Sequence, residues 1–207
     1  EYEKAEKFFK KALRLDPNFA RTYVGLAWSY NHAHDNDWGR SRQESLDKWF
    51  EASQKAVALD PEDGEAHMTL GWYYQYKSDF ERARDEIGKA LRLNPNNADV
   101  LVQASAVLPW LGMPEHAVEA AERAMRLNPL FPDWYYGPVR EAYFYAHDFG
   151  KATSALERRK KRTFHDLVYA SLCYAQLGRD QKTAAAVAEL LRRDPDYSAE
   201  KFISDTG

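Results

Sequence analysis

The segment from Gly64 to Pro95 reads GEAHMTLGWYYQYKSDFERARDEIGKALRLNP. Its first half places apolar residues at helical spacing, and Gly71 on that helix would let a second helix approach closely. Its second half places Ala83 and Ala90 seven residues apart, so two small side chains lie on one stripe of a following helix. An Asn-Pro step ends that helix. The stretch therefore predicts an antiparallel helix hairpin.

Prolines repeat this hairpin along the chain. Pro61, Pro95 and Pro129 recur every 34 residues. Pro17 and Pro195 fit the same period if about ten residues are inserted before Pro61 and two are lost after Pro129. A repeat of this length is typical of stacked helix hairpins, each of which buries its apolar face against its neighbours. The sequence predicts an all-α, right-handed superhelical solenoid of about five to six hairpins.

We expect this array to occupy residues 1–207 as a single domain. Its first hairpin is incomplete at 1–17, an insertion lies near 33–42, and a cap lies at about 196–207. The predicted helices cover 2–16, 20–34, 43–59, 64–77, 80–93, 98–111, 114–127, 133–146, 149–162, 165–177 and 180–193.

Residues at equivalent places in several periods carry a family resemblance. First helices contain Leu26-Ala27-Ser29-Tyr30 and Leu70-Gly71-Tyr73-Tyr74, and second helices contain the Ala-Ala-Pro series 5/12/17, 83/90/95 and 117/124/129. With these residues the chain resembles the tetratricopeptide repeat family, which implies a module that binds other polypeptides. The hairpin from about 132 to 162 departs from the pattern, because Pro138 lies early in it and Lys160-Lys161-Arg162-Thr163 replaces the closing proline.

A second, narrower resemblance rests on AMRLNP at 124–129, PDWY at 132–135 and YAQLGR at 174–179. These strings look like the C-terminal repeat region of bacterial class III adenylate/guanylate cyclases. That family's metal-binding aspartates have no counterpart here. The resemblance therefore implies a regulatory or scaffolding segment of a bacterial, cyclase-like signalling protein, without cyclase activity.

The concave wall of such a solenoid is lined by the first helix of each hairpin, and partners dock there. Outward positions rich in Trp, Tyr and Met suit the binding of an extended, partly apolar peptide. Tryptophans at helical spacing can instead pack between hairpins, and both interpretations stay open. The predicted groove residues are Trp28, Asn31, His32, Met68, Trp72, Gln75, Tyr76, Asp99, Val102, Trp110, Tyr136 and Arg140.

Several functions are disfavoured by the sequence. The net charge of −3 gives no general attraction for nucleic acid or an anionic membrane, and no apolar run is long enough to span one. No phosphate loop, nucleophile elbow or metal-ligand spacing occurs, so we expect no catalytic residue, no metal and no cofactor. The segment 31–39 is rich in His, Asp and Asn, but its spacing predicts a polar loop. Cys173 lies among apolar neighbours and suits a buried thiol in a reducing, cytoplasmic setting.

The strongest charge run is Arg158-Arg159-Lys160-Lys161-Arg162. Cations at the C-terminus of a helix interact favourably with its partial negative charge, and that alone accounts for the run. An acidic protein partner and a nucleic-acid contact are the alternatives. Because the charge is not spread over several repeats or interleaved with aromatic residues, we predict no nucleic-acid partner.

We therefore predict a protein-protein interaction module or scaffold that binds a peptide or partner domain in its groove. The alternative is self-association into a homo-oligomer through the first helix, which matches the second helix of a hairpin and has an apolar face to cover.

Overall fold

A computed structural model of the chain describes residues 2–36 and 41–198, and in these ranges every regular element is helical. The α-helices are α1 (Tyr2–Leu15), α2 (Ala20–Asn36), α3 (Arg42–Leu59), α4 (Gly64–Tyr76), α5 (Phe80–Leu93), α6 (Ala98–Val107), α7 (Pro114–Leu127), α8 (Tyr136–Tyr145), α9 (Phe149–Arg158), α10 (Phe164–Gln176) and α11 (Asp180–Arg193). Short 3₁₀ helices cover Leu108–Leu111 and Asp133–Tyr135. The all-α fold predicted from the sequence is confirmed.

Polar side chains cap the N-termini of several of these helices. Ser41, Asp63, Asp79 and Asp148 each accept a hydrogen bond from a backbone N–H of the following first turn. Thr163 and Asp166 form a reciprocal capping box at the start of α10. Such caps satisfy backbone donors that the helix itself leaves without an acceptor.

Consecutive helices pack as hairpins: α2 with α3, α4 with α5, α8 with α9, and α10 with α11. The close approach predicted at Gly71 is present, because a Cβ atom there would lie 2.7 Å from Cδ1 of Ile87 on α5. Ala83 and Ala90, the small residues of the repeat pattern, are fully buried. Small side chains therefore set the distance between the helices of this hairpin.

The helix predicted at 149–162 is shorter than expected, since α9 ends at Arg158. The carboxylate of Asp133 accepts the backbone N–H groups of Lys160 and Lys161, at 2.8 and 3.2 Å, and holds these residues in a non-helical connection. The helix therefore ends before Lys160, Lys161 and Arg162. Their positive charge was expected to interact with the C-terminus of this helix, but they lie outside it.

The chain divides into two compact units, Glu1–Val100 and Leu101–Gly207. The core of the first unit contains Leu26, Ala27, Tyr30, Leu46, Trp49 and Ala52. A core cluster of the second contains Leu156, Tyr169, Ala170, Tyr174 and Ala186. The superhelix over 1–207 stays a prediction. Residue 1 of the incomplete hairpin, residues 37–40 of the insertion and residues 199–207 of the cap lie outside the described residues.

The single cysteine is buried as predicted. Burial raises the pKa of the Cys173 thiol to about 11. A thiol with so high a pKa is almost entirely protonated near neutral pH, and it is therefore a poor nucleophile.

Both ring nitrogens of His67 have partners, one on α5 and one in the connection that precedes α4. Its Nδ1 lies 2.5 Å from Oε2 of Glu86, and its Nε2 lies 2.9 Å from the carbonyl oxygen of Pro61. Both partners can only accept, so the ring satisfies both when it is the doubly protonated imidazolium. The hydrogen bond to Glu86 raises the pKa of His67 above its ordinary value of 6.5 although burial opposes it.

We expect the first unit to lose stability as the pH rises from mildly acidic to alkaline. A raised pKa in the folded state means that the contribution of His67 is complete below 6.5 and is lost as the pH passes the folded value. The check is urea unfolding of the wild type and of His67→Gln at mildly acidic and at alkaline pH. The wild type should show the larger loss between the two, because the variant cannot titrate at this position. Equal losses would contradict the assignment.

Candidate protein-binding surface

α2 and α4 lie next to each other in the first unit and carry all but one of the predicted groove residues of that unit. The rings of Trp28 and Trp72 meet edge to face, with centroids 5.7 Å apart. Both side chains are half-buried. Trp28 packs on Val24, Ala56 and Ala66, whereas Trp72 packs on the core around Trp49. The two alternatives left open by the sequence therefore both hold in part, since each indole is a packing element with an accessible portion.

Three further residues extend this pair. His32 follows Trp28 by one turn of α2, and Gln75 and Tyr76 follow Trp72 by one turn of α4. His32 is exposed, Gln75 is half-buried, and Tyr76 has an exposed fraction of 42%. The ring of Tyr76 contacts that of His34, with centroids 4.5 Å apart. We call Trp28, His32, Trp72, Gln75 and Tyr76 the α2–α4 surface.

Two predicted groove residues on the same helices are buried. Met68 has an exposed fraction of 0%, and Asn31 is nearly as inaccessible. The prediction that they line an open groove is corrected, because each lies on the part of its helix that neighbouring helices cover. Spacing along one helix could not reveal this, since a helix inside a hairpin array is covered on more than one side.

Asp99, the remaining predicted groove residue of the first unit, lies in the first turn of α6 and is exposed. Its backbone N–H donates to Oδ1 of Asn97 at 2.9 Å. Asp99 lies on α6, whereas the α2–α4 surface is formed by α2 and α4, so its negative charge is not part of that surface.

The other predicted groove residues belong to the second unit. Val102 is fully buried, which corrects its placement in an open groove. Trp110 is half-buried, and its ring lies against Tyr145 with centroids 5.5 Å apart. Tyr136 is also half-buried and lies edge to face with Phe131 at 5.2 Å. These two aromatic residues are partly accessible, as Trp28 and Trp72 are.

Arg140 is the largest departure from the prediction, with an exposed fraction of 2%. Its Nη1 lies 2.5 Å from Oδ1 of the fully buried Asp166, and its Nη2 contacts Glu141. The guanidinium carbon lies 4.0 Å from the ring centroid of Tyr169. Arg159 donates to the same Asp166 oxygen at 2.8 Å. Arg140 is therefore part of a buried ionic network that joins α8 to α10, and its placement in the groove is corrected.

The α2–α4 surface can make a limited set of interactions. Its indole and phenol faces offer apolar area, and the Gln75 amide offers an uncharged donor and acceptor. The Nε1 atom of Trp72 is buried and has no hydrogen-bond partner within the described chain. A largely neutral, aromatic surface of this kind suits apolar and aromatic side chains of a polypeptide better than a phosphate or a metal ion.

Neither metal ligands nor a membrane-spanning helix is found over the described ranges. No three His, Cys, Asp or Glu side chains there are grouped so that they could hold a metal ion. No helix there is both long enough and apolar enough to cross a bilayer.

Two exposed residues were missed by the reasoning from sequence. Leu130 has an exposed fraction of 94%, and Trp134 is exposed as well. The available signal was their position in the connection between α7 and α8, where Pro129 and Pro132 bracket Leu130 and exclude it from a helix.

Comparison with known proteins supports the repeat assignment in two segments. Residues 64–97 and residues 1–19 match family models described as tetratricopeptide repeat. A sequence comparison with curated proteins gave no significant match.

Solved structures with the same fold include a chain of the APC/C hetero-tetramer Cut9-Hcn1, with a TM-score of 0.73 and 16% identity over 95% of this chain. The chain spans 38% of that protein. YrrB, a TPR protein with an unusual peptide-binding site, has a TM-score of 0.53 and 21% identity, with 91% of this chain and 93% of YrrB covered.

An IFIT1 monomeric mutant with m7Gppp-AAAA has a TM-score of 0.73 and 17% identity, with 92% of this chain and 46% of that protein covered. At such identities these likenesses establish the fold. The class of partner has to be argued from the surfaces of this chain.

Proposed function

We propose that the chain is a protein-interaction module whose α2–α4 surface binds an extended polypeptide segment. The observation that carries the proposal is the contact of Trp28 with Trp72, continued by the exposed ring of Tyr76. Aromatic side chains lose few rotamers on contact and dominate the energetics of most protein interfaces. The tetratricopeptide repeat, typically a non-catalytic interaction module, supports the same proposal.

The chemistry of the surface favours a ligand with apolar or aromatic side chains. Trp28, Trp72 and Gln75 are uncharged, and they would leave a charged ligand group without an ionic partner. The buried indole N–H of Trp72 has no acceptor, and it would gain one if a backbone carbonyl of the ligand replaced the groups that now cover it. We therefore expect selectivity for apolar anchors with backbone hydrogen bonding, and weak dependence on salt.

The proposal is tested with peptides selected from a random display library against the wild-type chain. The affinity of the best binder is then measured by fluorescence anisotropy for Tyr76→Ala and for the matched control Phe80→Ala. Both rings belong to the first unit and have nearly equal exposed fractions, 42% and 41%. Tyr76→Ala should weaken binding about tenfold, as for a central interface residue. Equal affinity for both variants would refute this site.

The cyclase-like context is proposed on the resemblance of the segments 124–129, 132–135 and 174–179 alone. In that context the module would regulate an attached output domain of a signalling protein. The test is to assay the full-length parent protein for conversion of ATP or GTP to a cyclic nucleotide. A parent without that activity would remove the context and leave the interaction module unaffected.

Self-association is the second candidate, and the exposed apolar side of α1 favours it. Leu15 has an exposed fraction of 82%, and Phe8, about two turns earlier on the same face of α1, has an exposed fraction of 72%. Light scattering of the chain across a concentration series, beside Phe8→Glu, distinguishes the candidates. A dimer that the substitution abolishes would support self-association, and a monomer at every concentration would exclude it.

A further inference from the structure

The connection between α9 and α10 concentrates positive charge on the surface of the second unit. Arg158, Lys160, Lys161 and Arg162 are exposed, and none of them forms an ion pair with another residue of the described chain. Many other exposed cations are neutralised locally, as Lys151 is by Glu122 and Lys182 by Glu157. The four cations are therefore available to an outside partner.

Internal contacts use the remaining charged groups of this region. Arg159 turns inward and donates to the buried Asp166 at 2.8 Å. Asp133 accepts the backbone N–H groups of Lys160 and Lys161, and neither ammonium group lies within ion-pair distance of a carboxylate in the described chain. The connection is thus held in place by its backbone while its charged side chains point outward.

Two exposed apolar side chains lie in the α7–α8 connection, which Asp133 bonds to the backbone of this basic segment. Trp134 directly follows Asp133, so it neighbours Lys160, and it has an exposed fraction of 39%. Leu130 is almost fully exposed in the same α7–α8 connection. Below them Phe131 stacks on the buried Tyr135, with centroids 5.3 Å apart, and supports the connection. We call Leu130, Trp134, Arg158, Lys160, Lys161 and Arg162 the basic–apolar surface.

We propose that the basic–apolar surface binds an acidic polypeptide segment that carries apolar side chains, separately from the α2–α4 surface. The carboxylates would pair with the four cations, and Leu130 and Trp134 would bury apolar anchors between them. An exposed apolar group rimmed by charge is a common mark of an interaction site.

The surface fits a polypeptide better than a nucleic acid. Single-stranded nucleic acids need several aromatic platforms for successive bases and a basic groove that follows the backbone. Here Trp134 is the exposed aromatic side chain, and the aliphatic Leu130 cannot stack on a base. The net charge of −3 also gives no long-range attraction for a polyanion as large as nucleic acid.

The probe is a fluorescein-labelled synthetic peptide in which Asp and Glu alternate with Phe and Leu, and its affinity is measured by anisotropy. Leu130→Asp and the double variant Lys160→Glu/Lys161→Glu should each weaken binding about tenfold. Both changes lie on exposed side chains, and thermal unfolding confirms that the fold is kept. The control Lys55→Glu/Lys77→Glu makes the same charge change at exposed, unpaired lysines of the first unit and should alter affinity by less than about twofold.

Three results would overturn the proposal. The first is no measurable binding of the peptide by the wild type. The second is an equal loss in the control variant, which would show a non-specific effect of charge. The third is a labelled oligothymidine that competes with the peptide and whose affinity is unchanged by Leu130→Asp, which would assign the surface to nucleic acid. The peptides selected for the α2–α4 surface should bind all these variants normally, so the two proposals fail independently.

Discussion

Replacing Trp49 with alanine should lower the free energy of unfolding of the first unit by about 3–5 kcal/mol. Trp49 has an exposed fraction of 1%, and its ring meets Tyr73 of α4 edge to face at 5.6 Å. Its Nε1 donates to the carbonyl oxygen of Thr69, also on α4, at 3.1 Å. The substitution would remove both a large packing volume and a link from α3 to the next hairpin. Urea unfolding followed by circular dichroism measures the loss.

Trp49→Phe is the matched control, because it keeps an aromatic ring in the core and removes the indole N–H. It should lower the free energy of unfolding by less than Trp49→Ala does. The lost indole hydrogen bond should add about 1–2 kcal/mol to the cost that a volume-conserving change would have. A loss in Trp49→Ala of the size seen for an exposed residue would show that the described core is not what holds the first unit together.

The second large effect is expected for Arg140→Ala, with a loss of about 3–5 kcal/mol. Removing the guanidinium leaves the buried Asp166 with Arg159 and the Thr163 cap as its remaining partners, and leaves Tyr169 without the group that covers its ring. A buried carboxylate that loses one of its two cationic partners is costly, whereas the intact pair itself adds little net stability. Thermal unfolding of the second unit gives the measurement.

A double-mutant cycle separates the ion pair from the lost volume. Arg140→Met fills most of the space without the charge, and Asp166→Asn keeps the capping geometry without the carboxylate. The two changes together should cost less than the sum of the single changes, because residues in one network couple. Strict additivity would mean that the two side chains do not depend on each other.

Helix positions followed from the sequence because their determinants are local. The 34-residue proline period and small residues such as Gly71 each act within one hairpin. These signals placed most helix ends within a few residues of those described. Two helices end early, α6 at Val107 rather than 111 and α9 at Arg158 rather than 162. The early end of α9 depends on Asp133, more than twenty residues earlier in the chain.

The candidate site was predicted less well because exposure depends on contacts between helices. Trp28, Trp72 and Tyr76 lie where spacing along α2 and α4 suggested, and they are at least partly accessible. Met68 has the same phase on α4 as Trp72, yet it is buried by helices that the repeat pattern does not position in detail.

Arg140 was misassigned for a different reason. A charged residue on a helix is usually solvated, and the sequence offered no sign that Asp166 would lie beside it. The pair is separated by 26 residues, and both members are buried together. Reasoning from one helix at a time cannot find such a pair.

A two-dimensional NMR titration of the chain with a peptide selected against it locates the binding surface residue by residue. If the α2–α4 surface is the binding site, the amide signals of residues around Trp28, Trp72 and Tyr76 and the indole signal of Trp72 will shift together and saturate at one affinity. Shifts confined to the second unit, or to α1, with the α2–α4 residues unchanged, would contradict the account.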